Sequence, residues 1–265
     1  MRSRHQEFNG LLLFRKIQSF LKSGIKPAFF FDFDGTLTEI VLRPEDVYLK
    51  PITREVLDEL AGKFTVCVIS GRQIDDVKRY VRLKGIYYSG NHGVEIEGPG
   101  IKFVEKESAR LAPYLASLAR ELRRRLAKYG VRVNSKGYSI SVHYRSIEPE
   151  KVEVMLEQVD DILAQPSGAG KIEVFHGKKV VEVKTPVDWD KGKAIELIVR
   201  KVGAKVKPVF FGDDTTDEYG FRKVNSVGGL SVYVGGPTGR TAAIYRVDSP
   251  ADLVGELTKF LLLLG

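Results

Sequence analysis

The chain has 265 residues, 43% of them apolar, and a formal charge of +8. That length suits one large domain or two modest ones with a proper buried core, and the single Cys67 excludes an internal disulfide. The basic excess would suit a nucleic acid or a phosphorylated ligand, but clusters such as Arg120 to Arg125 read as solvated helix faces, and no zinc spacing or aromatic-basic RNA signature accompanies them, so nucleic acid is not expected as a partner.

Apolar positions at helical spacing predict an entry helix over 9–23. Leu11 to Phe14 is too short for a signal segment, and Arg15 and Lys16 interrupt it. Phe260 to Leu264 is far short of a membrane span. A cytoplasmic, monomeric protein without membrane contact is the expectation.

The run Ala28 to Phe31 stops at Asp32, followed by Asp34, Gly35 and Thr36. A short apolar run ended in this way reads as a parallel strand buried on both faces. Ligands of such sheets sit beyond the carboxyl ends of the strands. An Asp-Gly surface turn is the ordinary alternative.

Thr53 to Ala61 reads as a helix, Phe64 to Ile69 as a second strand ending in Ser70-Gly71-Arg72, and Gln73 to Tyr80 as a helix. Ile86 to Ser89 is a third strand, ending in Gly90-Asn91-His92-Gly93. Strand and helix in alternation predict a parallel α/β sheet.

The pattern then changes. A long helix over 107–129 precedes two segments of period two, 131–135 and 138–145, which suit an antiparallel sheet. Another helix begins at Glu148 and runs to about Ala164. Residues 165–170 read as a loop, and 171–175 and 179–183 as a hairpin. His143 alternates with Val142 and is expected to face the helices. The first pattern returns with a helix over 191–202, a strand ending at Phe211 before Gly212-Asp213-Asp214-Thr215-Thr216-Asp217, and a strand over 230–234. The predicted organisation is a Rossmann-like parallel-sheet core, 1–107 with 186–265, and an inserted α/β cap, 108–185.

Three strand ends thus carry polar clusters. If the strands are neighbours, several carboxylates meet beside Arg72, and so much like charge demands a cation. Oxygen ligands without a Cys or His cluster favour Mg2+. A metal, an aspartate and basic side chains together suggest phosphoryl transfer. No Walker loop, kinase signature or dinucleotide fingerprint is present.

These residues resemble the haloacid dehalogenase superfamily of phosphatases. Asp32-Phe33-Asp34-Gly35-Thr36 is similar to its first motif, Ser70-Gly71-Arg72 to its second, Lys191-Gly192 to its lysine motif, and Gly212 to Asp217 to its acidic motif. Within it, residues 90–93, 136–145, 178–183 and 212–218 resemble the trehalose-6-phosphate phosphatase family, and the likeness runs from about Phe29 to Val234. The resemblance implies a sugar-phosphate substrate, Asp32 as nucleophile and Asp34 as general acid/base. It implies Ser70 and Lys191 as holders of the phosphoryl oxygens. Mg2+ would be held by Asp32, Asp213, Asp214 and the main-chain carbonyl of Asp34, with Asp217 close by. Arg72 and His92 would line the pocket, and Lys136, Arg145, Lys178 and Glu182 in the cap would grip sugar hydroxyls. Asn134 stands where that family usually has glutamate, and sucrose-phosphate or mannosyl-phosphoglycerate is the rival substrate. Trp189 reads as ordinary packing.

Overall fold

The computed structural model describes residues 10–41, 43–177, 179–236 and 240–264. The chain opens with helix α1 (Gly10–Lys22) and strand β1 (Lys26–Asp32), followed by α2 (Pro51–Lys63), β2 (Thr65–Ile69), α3 (Ile74–Val81) and β3 (Tyr87–Gly90). Proline at the first turn of α2 starts that helix, since the missing N–H has no partner there in any case. Two short strands not expected from the sequence come next, β4 (Glu95–Gly98) and β5 (Ile101–Val104). β4 runs antiparallel to β3.

The inserted segment contains α4 (Lys106–Leu126), β6 (Arg132–Ser135), β7 (Ser139–His143), α5 (Pro149–Gly168), β8 (Glu173–Gly177) and β9 (Val180–Lys184). The chain then returns through α6 (Lys191–Val202), β10 (Val206–Gly212), α7 (Asp217–Ser226), β11 (Leu230–Val234), β12 (Tyr245–Val247) and α8 (Pro250–Leu262). It divides into two compact units, one up to Phe103 and from Trp189 onward, the other Val104–Asp188. Among the described residues no helix is long and apolar enough to cross a membrane.

In the first unit an eight-stranded sheet has the order β12-β11-β10-β1-β2-β3-β4-β5. β12, β11, β10, β1, β2 and β3 are parallel neighbours in that order. β1 lies at the centre and explains its phenylalanine run. Phe29 and Phe31 point to one face, among Phe14, Leu57 and Phe260, while Phe30 points to the other, among Ile195, Phe210 and Phe221. Phe31 stacks on Phe211 of the adjacent strand, centroids 4.9 Å apart, a cross-strand pairing that also fixes register. Asp32 pairs with Ile69, so Ser70 follows beside it. Phe31 pairs with Phe211, so Gly212 and Asp213 emerge at the level of Asp32.

The second unit is a four-stranded antiparallel sheet, order β6-β7-β9-β8, under α4 and α5. Val133, Ile140, Val142, Val181 and Val183 face Leu115, Leu122, Met155 and Val159 of the helices. α5 runs on through Pro166 to Gly168, where a loop was expected from residue 165. Pro166 is buried in the helix packing, and its carbonyl accepts Lys171 N at 2.9 Å. Proline in a helix removes a backbone donor and crowds the carbonyl four residues back, and here it falls in the last turn, just before the helix ends.

Candidate active site

The floor of the site is one buried ammonium among three carboxylates. Lys191 opens α6, where Asp190 caps the helix by accepting Lys193 N at 2.9 Å. A lysine at a helix N-terminus opposes the helix dipole. It stays there because Nζ donates to Asp32 Oδ1 and to Asp217 Oδ1, each at 2.6 Å. Lys191 is 2% exposed and Asp217 fully buried.

Asp217, the first residue of α7, uses its other oxygen as well. Oδ2 accepts Asp213 N at 3.0 Å and Asp214 N at 3.1 Å, which folds the acidic loop back on itself. Asp213 Oδ1 accepts from Thr36 Oγ1 at 3.1 Å, tying that loop to the end of β1. Ligand-competent oxygens of Asp32, Asp213 and Asp217 lie within 4.8 Å of one another.

Burial pushes the Asp32 carboxyl well above the usual carboxylate range, against the pull of Lys191, and Asp217 adds to the rise. Burial likewise lifts Asp213 to about 7, helped by the charges of Asp217 and Asp214. Asp217 is raised by burial despite Lys191. Burial opposes the charge on Lys191, yet Asp32 and Asp217 hold it well above its ordinary value. One cation therefore leaves the cluster short of positive charge.

A divalent ion fits that deficit. Among the described residues both oxygens of Asp217 are engaged, whereas Asp32 and Asp213 each commit only Oδ1. Two carboxylates with oxygens to spare are the set from which a hard cation is held alongside water and phosphate. Asp214, also expected among the ligands, likewise commits only Oδ1 among the described residues. Its Oδ1 accepts Thr216 N and Thr216 Oγ1, both at 2.7 Å, and Asp217 N at 3.2 Å. It thereby braces the first turn of α7. Burial opposes its ionisation, but Lys191 and the Thr216 bonds lower its pKa overall.

The second carboxylate of the first motif has a different partner. Arg72 grips Asp34 with Nε on Oδ2 at 2.7 Å and Nη2 on Oδ1 at 2.6 Å. The guanidinium lies over the Tyr80 ring at 5.3 Å, so its plane is set by packing as well. Ser70 is buried, its Oγ accepting Arg72 N at 3.1 Å, and its carbonyl accepts His92 N at 2.9 Å. Asn91 N donates to the Arg72 carbonyl at 2.8 Å. Asn91 and His92 both have left-handed backbones, φ 48° and 59°. Non-glycine residues in that region carry strain that surrounding contacts must hold. Trp189 is one such contact: Nε1 donates to the Gly93 carbonyl at 2.6 Å, with the indole stacked on Phe103.

In the second unit, Glu182 accepts from Ser141 Oγ at 2.8 Å and lies 3.8 Å from Lys136 Nζ. Asn134 pairs with Ser141 in register, on the same open face. His143 belongs there too, contrary to the expectation that it faces the helices. Val142 is the residue turned inward, and strand alternation sends His143 the other way. Burial and the charge of Lys136 lower its pKa. Arg145 is exposed beyond the end of β7. Lys178 lies outside the described residues.

This geometry agrees with the relationships of the chain. The trehalose-phosphatase family model matches residues 30–250. The chain belongs to that family. Probable trehalose-phosphate phosphatase D of Arabidopsis thaliana is 31% identical over 95% of this chain and 71% of its own length. The trehalose-phosphate phosphatase of Mycobacterium tuberculosis is 36% identical over 88% of this chain, which spans 60% of that protein. In fold, the C-terminal domain of Candida albicans trehalose-6-phosphate phosphatase superposes with a TM-score of 0.74 over 96% of this chain and 97% of that one, at 22% identity.

Gly35 provides a direct test of the metal-side geometry in this phosphatase family member. Its φ is +91°, and a Cβ there would lie 2.0 Å from Asp213 Oδ2. Gly35→Ala must displace Asp213 or the turn after Asp34. The expected loss of kcat is on the order of 10²-fold, the scale of a misplacement near 1 Å. Steady-state kinetics alongside circular dichroism would check it, and wild-type kcat in a folded variant would contradict the close approach.

Proposed function

We propose that this protein hydrolyses trehalose 6-phosphate to trehalose and phosphate in a magnesium-dependent reaction through an aspartyl-phosphate on Asp32. The observation that carries this reading is the buried set Asp32, Lys191 and Asp217, with the partly buried Asp213 beside it, at the end of β1 in a chain of the trehalose-phosphatase family.

An Asp32 oxygen attacks phosphorus, the phosphorus–sugar oxygen bond breaks, and the departing oxygen takes a proton from Asp34. Water then attacks phosphorus, gives its proton to Asp34, and releases phosphate and a free Asp32 carboxylate. Proton transfer by a positioned carboxyl contributes about 10²–10⁴-fold in such steps. The bidentate Arg72 contact fixes Asp34 in orientation but occupies both of its oxygens, so Asp34 must turn out of that contact to pass a proton to the departing oxygen. Ser70 and Lys191 hold phosphoryl oxygens, and His92 lines the pocket. Asp32 and Asp213, with the main-chain carbonyl of Asp34, would hold Mg2+. When bound, the ion supplies positive charge against the phosphoryl oxygens. Lys136, Arg145 and Glu182 are proposed to bind sugar hydroxyls.

Asn134 supports a second reading. A neutral amide bonds a hydroxyl more weakly than a carboxylate does, which leaves room for another sugar phosphate. Phosphate release should be measured with Mg2+ on trehalose 6-phosphate, sucrose 6-phosphate and mannosyl-phosphoglycerate. The highest kcat/KM is expected for trehalose 6-phosphate, with activity lost on chelation and recovered with Mg2+. A higher value for either rival would refute the substrate assignment.

A further inference from the structure

We propose that Phe175 is a sugar-stacking residue that sets the affinity for the disaccharide half of the substrate, an inference that rests on the trehalose 6-phosphate reading above. Four residues lie in one row across the second unit's sheet. Asn134 of β6 pairs with Ser141 of β7, Ser141 with Glu182 of β9, and Glu182 with Phe175 of β8. Directly paired residues share a face, so Phe175 stands on the open side with Glu182 and Lys136. Its neighbour Val174 goes to the helix side, with Val181 and Val183.

Phe175 is 49% exposed, a large apolar ring beside an ion pair. Lys184 Nζ lies 5.3 Å from the ring centroid, a cation–π contact that restrains the ring. A glucose ring offers hydroxyls around its rim and an apolar C–H surface on its face. The row and the adjoining Lys136 offer a complement to each: the Glu182 carboxylate, the Asn134 amide and the Lys136 ammonium for the rim, and a phenyl ring for the face, while the buried Ser141 hydroxyl holds Glu182 in place. Binding sites for small molecules combine apolar and aromatic walls with a few placed polar groups in this way. The phosphoryl group has no use for such a ring.

The test compares wild type with Phe175→Ala and Phe175→Tyr. Kinetics are run on trehalose 6-phosphate, with trehalose and inorganic phosphate as competitive inhibitors, and trehalose binding is measured by calorimetry. Phe175→Ala is expected to raise KM, and the inhibition and dissociation constants of trehalose, by about fivefold, the scale of one aromatic contact. The inhibition constant of phosphate and kcat should not move, because the lost contact is made equally in ground and transition states. Phe175→Tyr should restore wild-type values. Unchanged trehalose affinity in Phe175→Ala would overturn the proposal, as would equal weakening of trehalose and phosphate. A change only in oligomeric state would assign the ring to contact with a second copy instead, and overturn it too. If wild type released no phosphate from trehalose 6-phosphate, the functional reading would fall, while calorimetry with trehalose would still decide the role of Phe175.

Discussion

Asp32→Asn should abolish phosphate release while leaving the fold as stable as before, or more stable. The first half follows from chemistry. An amide cannot attack phosphorus as a carboxylate does, so the covalent route closes, and loss of a nucleophile costs at least on the order of 10⁴-fold in kcat. The second half follows from the charges around it. Asp32 and Asp217 share one ammonium at this site, and the Asp213 carboxylate lies close by. Burial and the charge of Asp217 already oppose ionisation of Asp32. Neutralising it removes one surplus negative charge and leaves the Lys191 to Asp217 bond of 2.6 Å intact. The amide oxygen can still accept from Lys191, and the new NH2 points into a neighbourhood rich in carboxylate oxygen. Thermal unfolding without metal should therefore give a Tm no lower than wild type. Near-normal turnover would remove Asp32 as nucleophile, and a clear fall in Tm would show that the surplus charge has been misjudged.

The part of this site that was legible in the sequence is the part set by strand ends. A buried phenylalanine run can stop at two aspartates only where the strand leaves the sheet, and β1 between β10 and β2 does so. Register then brought Ser70 and Asp213 to the same edge. What the pattern left open was how carboxylates three residues apart divide their work. Asp214 and Asp217 are equivalent in composition, yet helix α7 begins at Asp217 and turns that side chain inward, while Asp214 serves the turn. The start of a helix is a matter of hydrogen bonds within a few residues and is poorly marked in sequence. His143 was misread for a related reason. One residue of error in strand phase exchanges the two faces of a sheet, and Val142 beside it carried the correct phase. The β4 and β5 pair was missed because each strand is only four residues long, although Pro99-Gly100 between them is a turn signal.

Lys191→Met should be the most damaging single change to stability. Methionine fills much the same volume, so packing is largely kept, and what is lost is the charge. Asp32 and Asp217 would then face each other in a buried site with no cation between them. Removing one partner of a buried ion pair costs about 3–5 kcal/mol, and in a domain of this size that lowers Tm by roughly 10 °C. Activity should be lost too, since the ammonium that would neutralise the phosphoryl group is absent. The electrostatic origin has its own signature. Adding Asp32→Asn to Lys191→Met removes one of the stranded carboxylates, so the double variant should be more stable than Lys191→Met alone, although a second residue of the site has been changed. Contacting residues couple by about 0.5–3 kcal/mol in such cycles, enough to resolve by denaturant or thermal unfolding. If Asp32→Asn raised the stability of Lys191→Met by no more than it raises that of wild type, the ammonium would be acting as a packing group, and the account of the site as a cluster short of positive charge would fail.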